Sequence, residues 1–254
     1  MDFLTLQTAA GPLGVIGRIH TGPARPALLV VNAAFPRERQ RQRHDLVDHF
    51  PGASVLVIEL LGMAGAPWAN PTILDLTQAL ETAVRRLVGD VPIVAFGAST
   101  SSLLTLGLQL PNICRHLVLE PFFQTEGLWP FVTSARERMA SDPANAAMTR
   151  FFWEVFGIGP DRLENRDYRH LLANITKPTQ VVVGGAPLEP KRQMDFWPSF
   201  TSAQDRAALR ANPLVTLVKG PPDTGHDFGA EGESDLMIKR MLHGALREAA
   251  KLRG

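Results

Sequence analysis

The chain of 254 residues is long enough for one large domain or two small ones, with room for a sizeable hydrophobic core. Its charges almost cancel, with 26 Lys and Arg against 25 Asp and Glu, and 45% of its residues are hydrophobic. This composition is typical of soluble globular proteins and argues against a disordered chain. The net charge of +1 gives no reason to expect nucleic-acid binding.

The glycine, proline and cysteine contents narrow the choice of fold class and location further. The chain has 21 Gly and 20 Pro, which favours a turn-rich α/β or all-β fold over a helical bundle. Its single cysteine, Cys114, excludes an intrachain disulfide framework and a cysteine-based zinc cluster, and it fits a reducing, cytoplasmic location. Residues 1–19 do not resemble a secretory signal, and no apolar stretch reaches the roughly 18 residues that a membrane span needs.

The first part of the chain alternates short apolar runs with helical patterns. The runs 27–32 (ALLVVN) and 53–60 (ASVLVIEL) are continuously apolar, as expected of strands buried on both faces. Five strands are predicted here, over 3–7, 13–19, 27–32, 53–60 and 91–96. Helices are predicted over 37–50, over 99–110, and from a cap at Asn70 through apolar positions 73, 76, 80, 84 and 87.

The alternation is interrupted once and then resumes. A strand over 116–120 is followed, up to about residue 175, by mixed helical segments rich in Phe and Trp. We interpret 122–175 as a helical cap inserted into a single domain of 1–254. A strand over 179–183, a helix over 202–211, a strand over 214–218 and a helix over 234–252 complete the pattern. It predicts an α/β fold with a mainly parallel central sheet and helices on both faces.

A serine stands between the strand that ends near Phe96 and the helix that follows it. Small residues, Gly97 and Ser101, flank Ser99 two positions before and after, as a sharp strand-to-helix turn requires. Such a turn exposes the hydroxyl group and directs the backbone N–H of Thr100 and the positive end of the helix toward one point. The alternative is a small-residue turn without a chemical role.

At this turn the chain resembles the α/β-hydrolase superfamily, although Ser101 replaces the second glycine of the G-x-S-x-G motif. The resemblance covers nearly the whole chain and implies a serine, acid and histidine in that order. His226, in the loop after the strand LVTLV, fits this order, with an ordinary loop histidine as the alternative. The other six histidines are predicted in turns, helices or strand edges and match less well: His20, His44, His49, His116, His170 and His243.

The acid is where the sequence departs from the family pattern. The loop after Gly184 resembles the acid-bearing loop of the family, but the matching position holds Pro187. Two other carboxylates could take the place of the missing acid. Glu189 follows in the same loop, and Glu120, in Leu-Glu-Pro, resembles the alternative acid site of some lipases. A water-exposed role for Glu120, or a site without a working acid, stays open as well.

The resemblance also implies a second donor to an oxyanion, from the loop after the strand 27–32. This loop reads Asn-Ala-Ala where a His-Gly pair is usual, and the backbone N–H of Ala34 aligns best, with Ala33 beside it. The four arginines at 37, 39, 41 and 43 could attract an anionic substrate, but a solvated basic helix face is the favoured interpretation. The aromatic residues of 122–175 are interpreted mainly as packing residues, with a role in an acyl pocket as the alternative.

Together these residues predict a serine hydrolase of a small carboxylic ester or thioester. Ser99 would attack the carbonyl carbon, His226 would take and return the proton, and Glu120 or Glu189 would orient His226. A small acyl compound is the expected partner, no cofactor or metal is expected, and monomer and homo-oligomer are both compatible with the sequence. The alternatives are a C–C hydrolase, a lyase or an acyltransferase of the same fold, or a degenerate member that binds a ligand or partner without turnover.

Overall fold

A single eight-stranded sheet organises the part of the chain that the structure describes. The computed structural model describes residues 2–19, 26–32, 45–60, 71–190, 196–226 and 232–252. The strands are β1 (Asp2–Gln7), β2 (Pro12–Arg18), β3 (Ala27–Asn32), β4 (Ser54–Glu59), β5 (Ile93–Ala98), β6 (Ile113–Leu119), β7 (Thr179–Val183) and β8 (Val215–Lys219). Their spatial order is β1-β2-β4-β3-β5-β6-β7-β8.

Most of the sheet is parallel, as predicted. β2 runs antiparallel to both β1 and β4, whereas all pairs from β4 through β8 are parallel. Parallel strands end at the same edge of a sheet, so the residues that follow β5, β6, β7 and β8 come together there. Ser99 and Glu120 lie at this edge, and the loops after β7 and β8 begin there.

Helices connect the strands. They are α1 (Ile73–Val88), α2 (Thr100–Gly107), α3 (Trp129–Ser141), α4 (Ala146–Phe156), α5 (His170–Ala173), α6 (Ala203–Ala211) and α7 (Gly232–Lys251), with a 3-10 turn at Thr125–Leu128. Residues 45–49 are also helical and precede β4. Within the described ranges, no helix is long and apolar enough to cross a membrane.

Two hydrophobic cores cover the two faces of the sheet. Successive residues of β3 divide between them, because side chains alternate along a strand. Leu29 packs in one core with residues of α1 and α2, and Leu28 packs in the other with residues of 46–50 and α7. The prediction of helices on both faces is therefore confirmed.

The start of α1 differs from the prediction. Thr72, not Asn70, caps this helix, and its hydroxyl group accepts the backbone N–H of Asp75 at 3.1 Å. The helix begins at Ile73, three residues after the predicted cap. The helix predicted over 37–50 is seen at 45–49, and its earlier part, with the four arginines, lies outside the described residues.

The segment between β6 and β7 contributes its aromatic side chains to the main core. Phe122, Phe123, Phe151 and Phe152 are fully buried and belong to the same core as α1 and α2. Phe156 stacks near Phe122, with ring centroids 5.6 Å apart. Packing therefore explains these aromatic residues, while the interpretation of 122–175 as a distinct cap stays a prediction.

One buried histidine is expected to make the stability of the fold depend on pH. His116 lies on β6 with Nδ1 3.4 Å from the Thr179 hydroxyl group, and burial lowers its pKa to about 4. The folded state thus holds a neutral imidazole that takes up a proton on unfolding below pH 6.5, so this part of the stability is lost as pH falls. Between pH 7.5 and 4.5, we expect the loss in unfolding free energy to be about 2 to 3 kcal/mol larger in the wild type than in His116→Asn.

Urea denaturation at both pH values measures this difference. His170→Asn is the matched control, because His170 is exposed, and it should keep the pH dependence of the wild type. Equal losses in the wild type and in His116→Asn would contradict the role given to His116.

Candidate active site

Ser99 forms a sharp turn between β5 and α2. Its backbone has φ 57° and ψ −123°, and its N–H donates to the carbonyl oxygen of Leu119 at 2.8 Å. A positive φ is unfavourable for a residue with a Cβ atom and is common where function requires it. Among the non-glycine residues that the structure describes, only Ser99 and Glu120 have a positive φ.

The turn depends on close packing beneath Ser99. A Cβ atom at Gly97 would lie 2.4 Å from the carbonyl oxygen of Ser101 and 2.4 Å from Oγ1 of Thr105. The buried hydroxyl group of Ser102 donates to the carbonyl oxygens of Gly97 at 3.1 Å and Leu119 at 2.6 Å. The strand and helix therefore touch through backbone, which fixes the position of the serine between them.

Gly97→Ala tests this packing. Because one of the clashing atoms is backbone, we expect the substitution to lower the unfolding free energy by about 1 to 3 kcal/mol and to displace Ser99. Gly244→Ala, in α7 where an added Cβ atom meets nothing within 4 Å, is the control and should leave stability unchanged or raise it. Urea denaturation of both variants makes the comparison, and an equally stable Gly97→Ala protein would contradict the expectation.

Glu120 follows β6 directly and is only 1% exposed. The alternative of a water-exposed carboxylate at this position is therefore wrong. The carboxylate accepts hydrogen bonds from the backbone N–H of Gly184, from the hydroxyl group of Ser199 at 2.8 Å and from the N–H of Phe200 at 2.9 Å. Burial raises the pKa of Glu120 to about 7, against the opposing effect of these donors and of Arg206.

His226 lies beside this carboxylate. Its Nδ1 is 3.9 Å from Oε2 of Glu120, and its side chain is 5% exposed. Its backbone N–H donates to the carbonyl oxygen of Trp197 at 3.0 Å. The imidazole stacks on Phe200, with ring centroids 4.0 Å apart and an interplanar angle of 22°. The ring thus has one face covered and one nitrogen directed at a buried carboxylate.

Close backbone contacts bring the loop that carries His226 to this place. A Cβ atom at Gly184 would lie 2.6 Å from the carbonyl oxygen of Gly225, and one at Gly225 would lie 1.8 Å from that of Trp197. The segments after β7 and β8 and the segment around Trp197 therefore touch without intervening side chains. This contact explains why glycines follow β7 and precede His226.

The remaining predicted residues have different surroundings. Glu189 is exposed in the segment after β7, so the structure brings Glu120, and not this exposed side chain, into the buried position beside His226. Thr100 is the first residue of α2, and a first-turn N–H has no acceptor within its own helix. Ala33 and Ala34 lie outside the described residues, so their role as donors to an oxyanion stays a prediction.

Ser199, Phe200 and Arg206 were not predicted from the sequence. They surround Glu120 but belong to no recognisable motif. One signal was available for Arg206, because it lies three residues before the apolar Leu209 in a predicted helix and so shares its helix face. A charged residue on the apolar face of a short helix indicates a buried partner.

As for metals, the described parts of the chain contain no group of three or more His, Cys, Asp and Glu placed to hold a metal ion.

Comparison with known proteins identifies the fold. No protein-family model matches the chain, and no curated protein matches its sequence. Among solved structures, a thermophilic esterase from Thermogutta terrifontis is 18% identical with a TM-score of 0.61, over 98% of this chain and all of that one. A serine hydrolase involved in carbazole degradation, CarC, is 14% identical with a TM-score of 0.63, over 96% and 100%. The enol-lactonase from Burkholderia xenovorans is 15% identical with a TM-score of 0.64, over 96% and 100%.

Proposed function

We propose that this chain, whose fold is that of the α/β-hydrolases, is a serine hydrolase that cleaves a small carboxylic ester or thioester. The observation that carries the proposal is the buried Glu120 carboxylate, 3.9 Å from His226 at the sheet edge where Ser99 lies. A serine needs a base to act as a nucleophile, and a histidine held by a carboxylate is such a base. The names of two structural neighbours, an esterase and an enol-lactonase, agree with this chemistry.

The reaction would proceed through an acyl-enzyme. Ser99 Oγ forms a bond to the carbonyl carbon while Nε2 of His226 accepts its proton, and Glu120 stabilises the resulting imidazolium through Nδ1. The imidazolium then gives the proton to the departing alcohol or thiol as the bond to that group breaks. Water, activated by His226 in the same way, releases the acid and restores the Ser99 hydroxyl group.

The oxyanion needs donors in the first step. The backbone N–H of Thr100, the first residue of α2 and the residue after Ser99, is one proposed donor, and the N–H of Ala34 is the second, with Ala33 beside it. The positive end of α2 adds a favourable field for the negative charge. These groups would act in the transition state more than on the bound substrate, and so would raise kcat.

Labelling with a fluorophosphonate probe, followed by peptide mapping, tests the proposal. We expect the wild type to react at Ser99, and the reaction to fall in Ser99→Ala, His226→Ala and Glu120→Gln but not in Glu189→Gln. Absence of labelling in a folded wild-type protein would overturn the proposal and favour a ligand-binding member without turnover. If the wild type is labelled at Ser99, a screen of short-chain esters and thioesters would define the leaving group. Product analysis would separate hydrolysis from C–C cleavage, lyase or acyl-transfer reactions.

A further inference from the structure

Two buried polar side chains beyond the proposed triad are linked to Glu120. Ser199 is fully buried, and its hydroxyl group donates to Oε1 of Glu120 at 2.8 Å. The same oxygen of Ser199 accepts a hydrogen bond from Nη2 of Arg206 at 2.7 Å. A buried hydroxyl group that donates to a carboxylate and accepts from a guanidinium has a fixed orientation, because its one proton is committed.

Arg206 joins the two segments that donate to Glu120. The residue is only 9% exposed, its Nε donates to the carbonyl oxygen of Thr201 at 3.0 Å, and its Nη2 also donates to that of Gly184 at 3.2 Å. Thr201 in turn donates from its hydroxyl group to the carbonyl oxygen of Pro121 at 2.6 Å. One guanidinium therefore ties the end of β7 and residues 199–201 around the carboxylate.

The two oxygens of the carboxylate have different tasks in this arrangement. Oε1 accepts from Gly184 and Ser199, whereas Oε2 accepts from Phe200 and faces Nδ1 of His226. Fixing Oε1 fixes the direction of Oε2 as well, because the carboxylate is rigid and planar. The phenyl ring of Phe200 stacks on the imidazole, so the same segment orients both partners.

We propose that Ser199 and Arg206 are positioning residues that favour the ionised form of Glu120 and direct its carboxylate at His226, an inference that rests on the proposed hydrolase function. Within the described chain, the charged or titratable groups that face Glu120 are Arg206 and His226. The Arg206 guanidinium and the three donors all favour the carboxylate form, and they oppose the burial that favours the protonated form. Neither residue touches the substrate in this proposal.

The test is the pH profile of ester hydrolysis in Ser199→Ala, Arg206→Met and Arg206→Lys. Loss of a hydrogen bond to a charged group predicts a fall in kcat of about tenfold or more, with KM within about twofold. We also expect the acidic limb of kcat/KM to move to higher pH in Ser199→Ala and Arg206→Met, because both changes disfavour the ionised Glu120. Arg206→Lys keeps the charge and should restore part of the loss.

The controls separate positioning from folding. Arg210→Met removes an exposed arginine one turn later in α6 and should match the wild type in kcat and pH profile. Circular dichroism and thermal unfolding report whether each variant folds, and Ser199→Ala, the smaller change, decides the result if Arg206→Met does not. A folded Ser199→Ala protein with the kcat and pH profile of the wild type would overturn the inference. An inactive, unlabelled wild type would instead overturn the proposed function.

Discussion

Replacing Ser99 with alanine is expected to lower kcat/KM for the best ester substrate by about 10⁴-fold or more and to abolish fluorophosphonate labelling. The acyl-enzyme cannot form without the serine oxygen, and the remaining donors stabilise only an oxyanion produced by direct attack of water. The fold should persist, because the Ser99 backbone N–H keeps its hydrogen bond to Leu119 and alanine retains the Cβ atom. Steady-state kinetics and mass spectrometry of the labelled protein measure both effects.

Ser141→Ala is the matched control for this variant. Ser141 is an exposed serine at the end of α3, and its removal should change neither kcat/KM nor labelling. Thermal unfolding of both variants verifies that they are folded. A folded Ser99→Ala protein that still turns over the ester at the rate of the wild type would contradict the proposal that Ser99 is the nucleophile.

The second large effect is expected at Glu120, the proposed acid. Glu120→Gln should lower kcat by about 10³- to 10⁴-fold, because the amide cannot stabilise the imidazolium and can favour the wrong tautomer of His226. Its NH₂ group must also replace one of two oxygens that each accept from a backbone N–H, which leaves that N–H facing another donor. We therefore expect a loss of about 1 to 3 kcal/mol in unfolding free energy as well.

Glu189→Gln provides the comparison, since it makes the same chemical change at the other candidate. Glu189 is exposed, so the substitution should leave kcat within about twofold and stability within about 0.5 kcal/mol of the wild type. Kinetics and urea denaturation of the two variants choose the acid directly. A large loss of kcat in Glu189→Gln, with Glu120→Gln folded and active, would reverse the assignment.

The sheet was predictable because its strands are encoded locally. The continuous apolar runs of β3 and β4 identify strands buried on both faces, and every one of the eight strands lies within a few residues of its predicted range. The largest shift is at β6, which begins at Ile113, three residues before its predicted start. β5 extends to Ala98 and so reaches Ser99 directly. Strand ends are set by the neighbouring strand and the following turn, which a local pattern does not contain.

The burial of Glu120 beside His226 was not predictable to the same degree. Glu120 and Glu189 both follow strands of the parallel sheet, and each stands in a loop that resembles an acid site of the fold. What distinguishes them is the approach of the segment around Ser199 and Phe200, which buries one carboxylate and supplies its donors. These contacts join residues about 80 positions apart in the chain, a separation over which no local pattern carries information.

The same separation has a consequence for how activity appears during folding. The proposed nucleophile follows β5, and the proposed acid follows β6. The groups that donate to Glu120 lie between β7 and α6, and the proposed base, His226, follows β8. Pairings over such distances form late, because the entropy of closing the long loops is lost before the contacts compensate for it. A chain in which β8 has not yet joined the sheet therefore holds the proposed nucleophile without its proposed base. Reactivity toward a fluorophosphonate during refolding should rise in the final kinetic phase. Covalent labelling of Ser99 would then report when the sheet is complete.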